Sequence, residues 1–207
     1  MILTDEYDAR QFCAARGDAA GMERLEAFAE LLLSENKRQN LIAKASEQSL
    51  WLRHFADSAQ LLDHVPRGTE PWLDLGTGAG LPGIVIASLR PELKCILVES
   101  RRKRADFLSL VTRELGLTNC VVMDSRVEVI RPFEVGVISA RAFAPLGKLL
   151  SLSARFSTQD THWLLPKGRS AGQELAELPM RHQKMFHVEQ SVTDAEAGIL
   201  VGKGRPG

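Results

Sequence analysis

The stretch "WLDLGTGAGLPGIVIA", Trp72 to Ala87, decides how the rest of this chain is read. A short apolar run carrying one acid, Asp74, passes into the glycines Gly76, Gly78, Gly80 and Gly83, and then into a second apolar run. That order reads as strand, glycine turn, helix. In an α/β sheet such a unit opens a ligand crevice at the carboxyl end of the strand. Glycine reaches positive φ without strain and leaves no Cβ between the backbone and a ligand. The helix start beyond the turn is expected to offer unpaired N–H groups, and Pro82 suits an early helical position.

The same alternation continues toward the C-terminus. "KCILVES", "NCVVMDS", "FEVGVISA" and "THWLLPKG" read as strands, and "RKRADFLSLVTRELG", "PLGKLLSLSARF" and "AGQELAEL" as helices. "QKMFHVEQSV" and "AGILVGKG" add two strands, read as a closing hairpin, and Lys203 to Gly207 reads as a frayed end. The pattern predicts a mainly parallel, seven-stranded sheet covered on both faces. Toward the N-terminus the grammar is helical. "MERLEAFAELLLSENKRQNL" spaces Met22, Leu25, Phe28, Ala29, Leu32 and Leu33 into one apolar stripe. A second helix runs from Ser46 through "LWLRHFADSAQLLDHV" to the breaker Pro66-Arg67-Gly68. We therefore expect a helical extension over 1–68 and a ligand-binding α/β domain over 69–207, forming one compact unit.

Composition narrows the partners. Lys+Arg and Asp+Glu both total 26, so a nucleic-acid partner would need a local basic patch rather than a global field. Cys13, Cys95 and Cys120 are isolated and lack metal-ligand spacing, which suits buried thiols in a reducing compartment and argues against a metal site. The start, "MILTDEYDAR", is acidic where a signal peptide would be basic, and no apolar run reaches membrane-spanning length. A cytoplasmic location without membrane contact is expected.

The glycine turn admits two registers. Gly78-Ala-Gly80-Leu-Pro-Gly83 matches the dinucleotide fingerprint, with Glu99 placed to grip a ribose, and would suit an NAD-dependent oxidoreductase. Asp74-Leu-Gly76-Thr-Gly78-Ala-Gly80 matches the opening of S-adenosylmethionine-dependent methyltransferases. Asp74 favours the second register, because a carboxylate facing the crevice would repel a pyrophosphate and attract a cationic sulfonium or ammonium group. The helical preamble and terminal hairpin favour it too, as does "SRVE", Ser125 to Glu128, after the third strand, where an adenine pocket is lined in such enzymes.

Seven segments, "NLIAKAS", "RHFADS", "DLGTGAGLPGI", "LVESRRKRADFL", "SRVE", "ISARAFAPL" and "LPKG", occur in the order that resembles the bacterial small-subunit rRNA methyltransferase G family, also called glucose-inhibited division protein B. The resemblance spans Asn40 to Gly168. It implies a class I methyltransferase with a Rossmann-like sheet that moves a methyl group from S-adenosylmethionine to N7 of a guanine in 16S rRNA. The partner would be the small ribosomal subunit or an assembly intermediate. By the same resemblance, Gly76 and Leu81 contact the cofactor within the loop Gly76–Gly78–Gly80, Val127 and Glu128 form the adenine side, Glu99 binds the ribose hydroxyls, and Arg141 reaches the cofactor region. Two departures stand out: Ala140 where serine is frequent, and Pro166 where an apolar residue is usual, which would reshape the backbone beside Lys167.

Guanine N7 carries a lone pair and no proton, so its methylation calls for no catalytic base. "SARAFAPL" lacks the Asn/Asp-Pro-Pro-aromatic acceptor set that accompanies methylation of exocyclic amines. Catalysis is then expected to rest on alignment, with Arg141 holding either a cofactor carboxylate or guanine O6. The run Arg101-Arg102-Lys103-Arg104 opposes the dipole of its own predicted helix and is read as a phosphate patch, extended by Lys167 and Arg169. In "RHFADS", Arg53 and Asp57 stand at i, i+4, as do His54 and Ser58. They read either as a structural salt bridge beside a satisfied histidine or as a cleft wall that orients Arg141, with Asn40 capping the loop before it. A cofactor-binding assembly factor without catalysis, and a methyltransferase acting on a small molecule, remain open as rivals at this point.

Overall fold

The computed structural model describes residues 2–207. Seven strands form one sheet in the order β3-β2-β1-β4-β5-β7-β6. These are β1 (Trp72–Leu75), β2 (Cys95–Glu99), β3 (Cys120–Asp124), β4 (Val137–Ser139), β5 (His162–Gly168), β6 (Phe186–Gln190) and β7 (Gly198–Lys203). The first five run parallel, while β7 is antiparallel to both β5 and β6. The chain steps outward from β1 to β2 and β3, then returns to place β4 on the other side of β1. That reversal puts a topological switch point at the carboxyl ends of β1 and β4, where open α/β sheets bind ligands. Strands β1, β2 and β4 are buried along their whole length, as a sheet covered on both faces requires.

Helices α1 (Glu6–Ala14) and α2 (Ala19–Gln39) begin at Asp5 and Asp18, whose carboxylates accept from Asp8 N and Gly21 N at 2.8 and 2.7 Å. The stripe residues Leu25, Phe28, Ala29 and Leu32 of α2 are buried as the periodicity predicts. They join α4 (Gly83–Leu89) and the adjoining sheet face in one hydrophobic cluster, so the helical segment shares its core with the sheet. Arg24 adds two hydrogen bonds to Ser88 O across that junction. Helix α1 lies within the helical extension expected over 1–68, although the sequence pattern delimits no separate helix there. Its Glu6 carboxylate accepts from Trp51 N and Leu52 N, two backbone donors within the next helical segment.

That segment is not the single α-helix expected. Lys44–Ser49 is 3₁₀, Trp51–Ala56 is a π turn, α3 is only Asp57–Ala59, and Gln60–His64 is 3₁₀ again. A π turn changes which side chains face one another and is frequent at functional sites. Helices α5 (Arg102–Glu114), α6 (Leu146–Ser153), α7 (Ala171–Ala176) and α8 (Met180–Gln183) complete the layers. The C-terminal end is also more ordered than expected. Gly204 N donates to Thr161 O at 2.9 Å, and Gly204 O accepts from Trp163 Nε1 at 2.7 Å, which ties the tail to β5. All three tryptophans are core residues. No described helix is long and apolar enough to cross a membrane.

Candidate active site

The glycine turn is held from below by Asp74. Its carboxylate is fully buried, accepts from Ser139 Oγ at 2.7 Å and Gly83 N at 3.1 Å, and also bonds Thr77 Oγ1. Burial pushes its pKa up to about 6, although the hydrogen bonds and Arg141 act against that rise. This corrects the expectation that Asp74 faces a cationic ligand: the carboxylate has no exposed surface, and its donors are all side chains and backbone of this protein. It likewise corrects the expectation of a free helix start, since Gly83 N at the head of α4 is spent on Asp74. Gly83 is a glycine for space, because an added Cβ would lie 2.1 Å from Leu97 Cδ2. Gly78 is one for conformation and approach. Its φ is +58°, and nothing lies within 3.4 Å of an added Cβ, the nearest atom being Arg104 Nη1 at 3.5 Å. At Gly78 the turn therefore has room on its Cα face, which fits a ligand lying along its backbone.

Glu99 ends β2 and accepts from Gly78 N at 3.0 Å and Arg101 N at 2.8 Å, which joins the glycine turn to the second strand. Beside it lies a cavity of about 170 Å³ lined by Gly76, Val98, Ser125, Val127, Glu128 and Phe143, among others. The cofactor candidates Gly76, Val127 and Glu128 thus meet in one place. Gly80 and Leu81 are buried behind the turn and line neither this cavity nor the next.

A larger cavity of about 950 Å³ opens beyond Phe143, which lines both. Arg53, His54, Asp57, Arg141 and Lys167 line it, along with Ser46, Glu174, Thr193 and Asp194. The expected Arg53–Asp57 pair is absent. Across the π turn Arg53 instead meets Asp194 at 3.3 Å, while Asp57 meets Arg141 at 3.4 Å. Arg141 Nη1 also lies 3.2 Å from His54 Nδ1, and His54 Nε2 lies 2.8 Å from Ser46 Oγ. Burial, Arg141 and Arg53 bring the His54 pKa down to about 3, so the ring is neutral. Ser58 is not a wall residue. It is buried and donates to His54 O within its own helical turn. Asn40 is an exposed, left-handed C-cap of α2 with φ 50°, away from both cavities. The loop after it is anchored by Asn36, which bonds Ile42 N and Glu47.

In the basic run, Arg102 is tied to Asp106 and Asp124. All four residues of the run line a groove of about 380 Å³ with Arg38 and Gln39 from the end of α2, whose Gln39 Nε2 donates to Lys103 O. Lys167 does not extend that rim, since its side chain is 8% exposed and its ammonium pairs with Glu174 at 2.8 Å. Arg169 pairs with Glu196. Pro166 sits where the β5–β7 register slips, so the departure noted in the sequence falls on a bulge. Reading the sequence alone missed Arg38, Ser46, Thr193 and Asp194. Only Ser46 carried a local signal, as a helix opener. The others enter through tertiary approach.

Known proteins give the arrangement a family. The model for "rRNA small subunit methyltransferase G" matches residues 21–200. The chain belongs to that family. A ribosomal RNA small subunit methyltransferase G of Erythrobacter litoralis is 61% identical, over 99% of this chain and 99% of the relative. One from Rhizorhabdus wittichii is 49% identical, over 100% and 99%. Among solved structures, a SAM-dependent methyltransferase from Aquifex aeolicus superposes with a TM-score of 0.59 at 15% identity, covering 77% of this chain and 94% of that one. A mutant of MtNAS in complex with S-adenosylmethionine gives 0.56 at 16%, covering 97% and 78%. These structural likenesses show the fold, a class I methyltransferase sheet. Family membership settles the choice between the two glycine registers: the chain is a methyltransferase, not a nicotinamide-dependent oxidoreductase.

Proposed function

We propose that this methyltransferase transfers a methyl group from S-adenosylmethionine to N7 of one guanine in 16S rRNA, within an assembled or partly assembled small subunit. Bound S-adenosylmethionine supplies an electrophilic methyl on sulfur. The open face of Gly78, the cavity walls at Gly76, Val127 and Glu128, and the carboxylate of Glu99 would hold it. The observation that carries the N7 reading is the state of the larger cavity. Every carboxylate and imidazole lining it, among the described residues, is already engaged within the chain. Asp57 serves Arg141, Gln60 and Thr193; Asp194 serves Arg53; Glu174 serves Lys167; and His54 is bonded at both nitrogens. Such a site suits a nucleophile that brings a lone pair and needs no proton removed. Holding it in line is then the chain's task, worth several kcal/mol where alignment is good. The groove formed by Arg38, Arg101, Lys103 and Arg104 supports binding of the RNA backbone. Mass spectrometry of 16S rRNA from cells with and without this gene tests the proposal. One methylguanine should disappear with the gene, and an unchanged rRNA mass would reject it.

A further inference from the structure

We infer that His54 is a positioning residue for Arg141: its neutral imidazole, protonated at Nε2, accepts from the guanidinium at Nδ1 and turns the remaining guanidinium donors toward the cleft. This rests on the methyltransferase reading above and assigns a role within its substrate cavity. The hydrogen-bond chain leaves no freedom of direction. Arginine can only donate, so His54 Nδ1, 3.2 Å from Arg141 Nη1, must be the bare, accepting nitrogen. At the other end, Ser46 Oγ donates its single proton to Ala43 O at 2.7 Å. Its oxygen is left to accept from His54 Nε2 at 2.8 Å, which must therefore carry the ring proton. The chain thus runs from Arg141 through His54 and Ser46 to a backbone carbonyl, with each proton placed.

The charges around the ring favour the same state. Arg53 and Asp57 lie on its own helical segment, Arg141 comes from the loop after β4, and Asp194 comes from the approach to β7. Each carboxylate is already paired with an arginine, Asp57 with Arg141 and Asp194 with Arg53, so neither is left to stabilise an imidazolium. Asp57 is in turn fixed by Gln60 Nε2 at 2.9 Å and Thr193 Oγ1 at 3.0 Å. Arg141 Nη1 is therefore gripped by two anchored acceptors. Its Nε and Nη2 make no hydrogen bond among the described residues, and the side chain keeps 23% exposure on the cavity wall. These two donors lie in one plane, a fork that matches a carboxylate or the acceptor edge of a purine.

The test uses the full-length protein with His54→Asn and His54→Ala. The asparagine oxygen takes the place of Nδ1 and keeps the acceptor, whereas alanine removes it. His54→Ala should lower kcat for rRNA methylation about 10- to 100-fold, and His54→Asn should restore it to within a few-fold of wild type. Nitrogen-15 NMR of the wild-type imidazole should show a bare Nδ1 and a protonated Nε2, unchanged between about pH 5 and 8. An undiminished kcat in His54→Ala, equal damage in both variants, or a protonated Nδ1 would each overturn the assignment. The NMR measurement needs no substrate and no variant. It separates failure of this inference from failure of the methylation reading, and it stands even where His54→Ala does not fold.

Discussion

At the scale of single residues, Asp74, buried, and His54, partly buried, are titratable groups whose pKa values move in opposite senses, and both movements can be measured. Asp74→Ala leaves Gly83 N, Ser139 Oγ and Thr77 Oγ1 without their acceptor and should cost about 3 kcal/mol or more in a urea titration. Asp74→Asn keeps an acceptor for Gly83 and a polar partner for Ser139, and should cost about half as much. Because the carboxylate braces the turn rather than meeting a ligand, Asp74→Asn should also retain affinity for S-adenosylmethionine by calorimetry. A selective loss of affinity at unchanged stability would reverse that conclusion. The pH dependence follows from the shifts. Asp74, raised to about 6, holds its proton more tightly when folded, so its contribution declines as pH climbs from the ordinary carboxylate range toward 6. His54, lowered to about 3, contributes fully above about pH 6.5 and loses that contribution as the unfolded chain takes up protons below it. The two slopes oppose each other between about pH 4 and 6 in the wild type. In His54→Asn only the Asp74 slope remains. The stability of that variant relative to wild type should therefore rise as pH falls below 6.5, by up to about 1.4 kcal/mol per pH unit, and parallel denaturation curves would refute it. Of these two residues the sequence revealed existence but not orientation. Asp74 was legible as an acid before the glycines, yet whether it points into the crevice or under it depends on Ser139, sixty-five positions away in the chain. His54 was legible as a cleft candidate, yet its partners come from segments that no local spacing brings together.

At the scale of elements, the central strands β1, β2 and β4 were readable because each is a short, largely apolar run between turn residues, as burial on both faces demands. The helical stretch over 44–64 was not. Its apolar positions suit an α-helix, whereas the π turn at Trp51–Ala56 is capped by Glu6 from α1, and Arg53 and Asp57 pair with Asp194 and Arg141 from distant segments. An α-helical reading therefore pairs Arg53 with Asp57, and the folded chain does not. The glycine turn makes the same point through a prediction. In the sequence Gly78 and Gly83 look alike. In the fold Gly83→Ala drives a Cβ against Leu97 and Asp74 inside the core, whereas Gly78→Ala meets only the strain of positive φ. Gly83→Ala should cost about 3 kcal/mol in stability, and Gly78→Ala only about 1 to 2. Affinity for S-adenosylmethionine should rank the other way, falling more in Gly78→Ala, where the new methyl group stands on the open face. Urea titration and calorimetry of both variants check this, and a common ranking in the two assays would move the ligand off Gly78.

At the scale of the whole molecule, 26 basic and 26 acidic side chains cancel, so affinity for RNA has to come from a local concentration of charge. The groove between the end of α2 and the start of α5 provides one. Arg38, Arg101, Arg102, Lys103 and Arg104 line it, with Arg102 tied to Asp106 and Asp124 and Arg38 at 3.8 Å from Glu35, while Lys167 and Arg169 are held by acids away from it. Three or four phosphate contacts give a log–log salt slope of roughly −2 to −3.6, and affinity for deproteinised 16S rRNA should fall about 20- to 150-fold between roughly 50 and 200 mM salt. Arg101→Glu with Arg104→Glu should flatten that slope by roughly 1 to 2, whereas Arg169→Glu, at a position already paired with Glu196, should leave it nearly unchanged. A footprint of so few phosphates binds weakly at cellular salt, and the proposed subunit substrate would add contacts beyond this groove. Methyl transfer from tritiated S-adenosylmethionine, compared on deproteinised rRNA and on small subunits as salt is raised, separates the two cases. Activity on subunits should persist at salt concentrations where activity on naked rRNA has gone, and equal decay on both substrates would place the whole binding interface within this one groove.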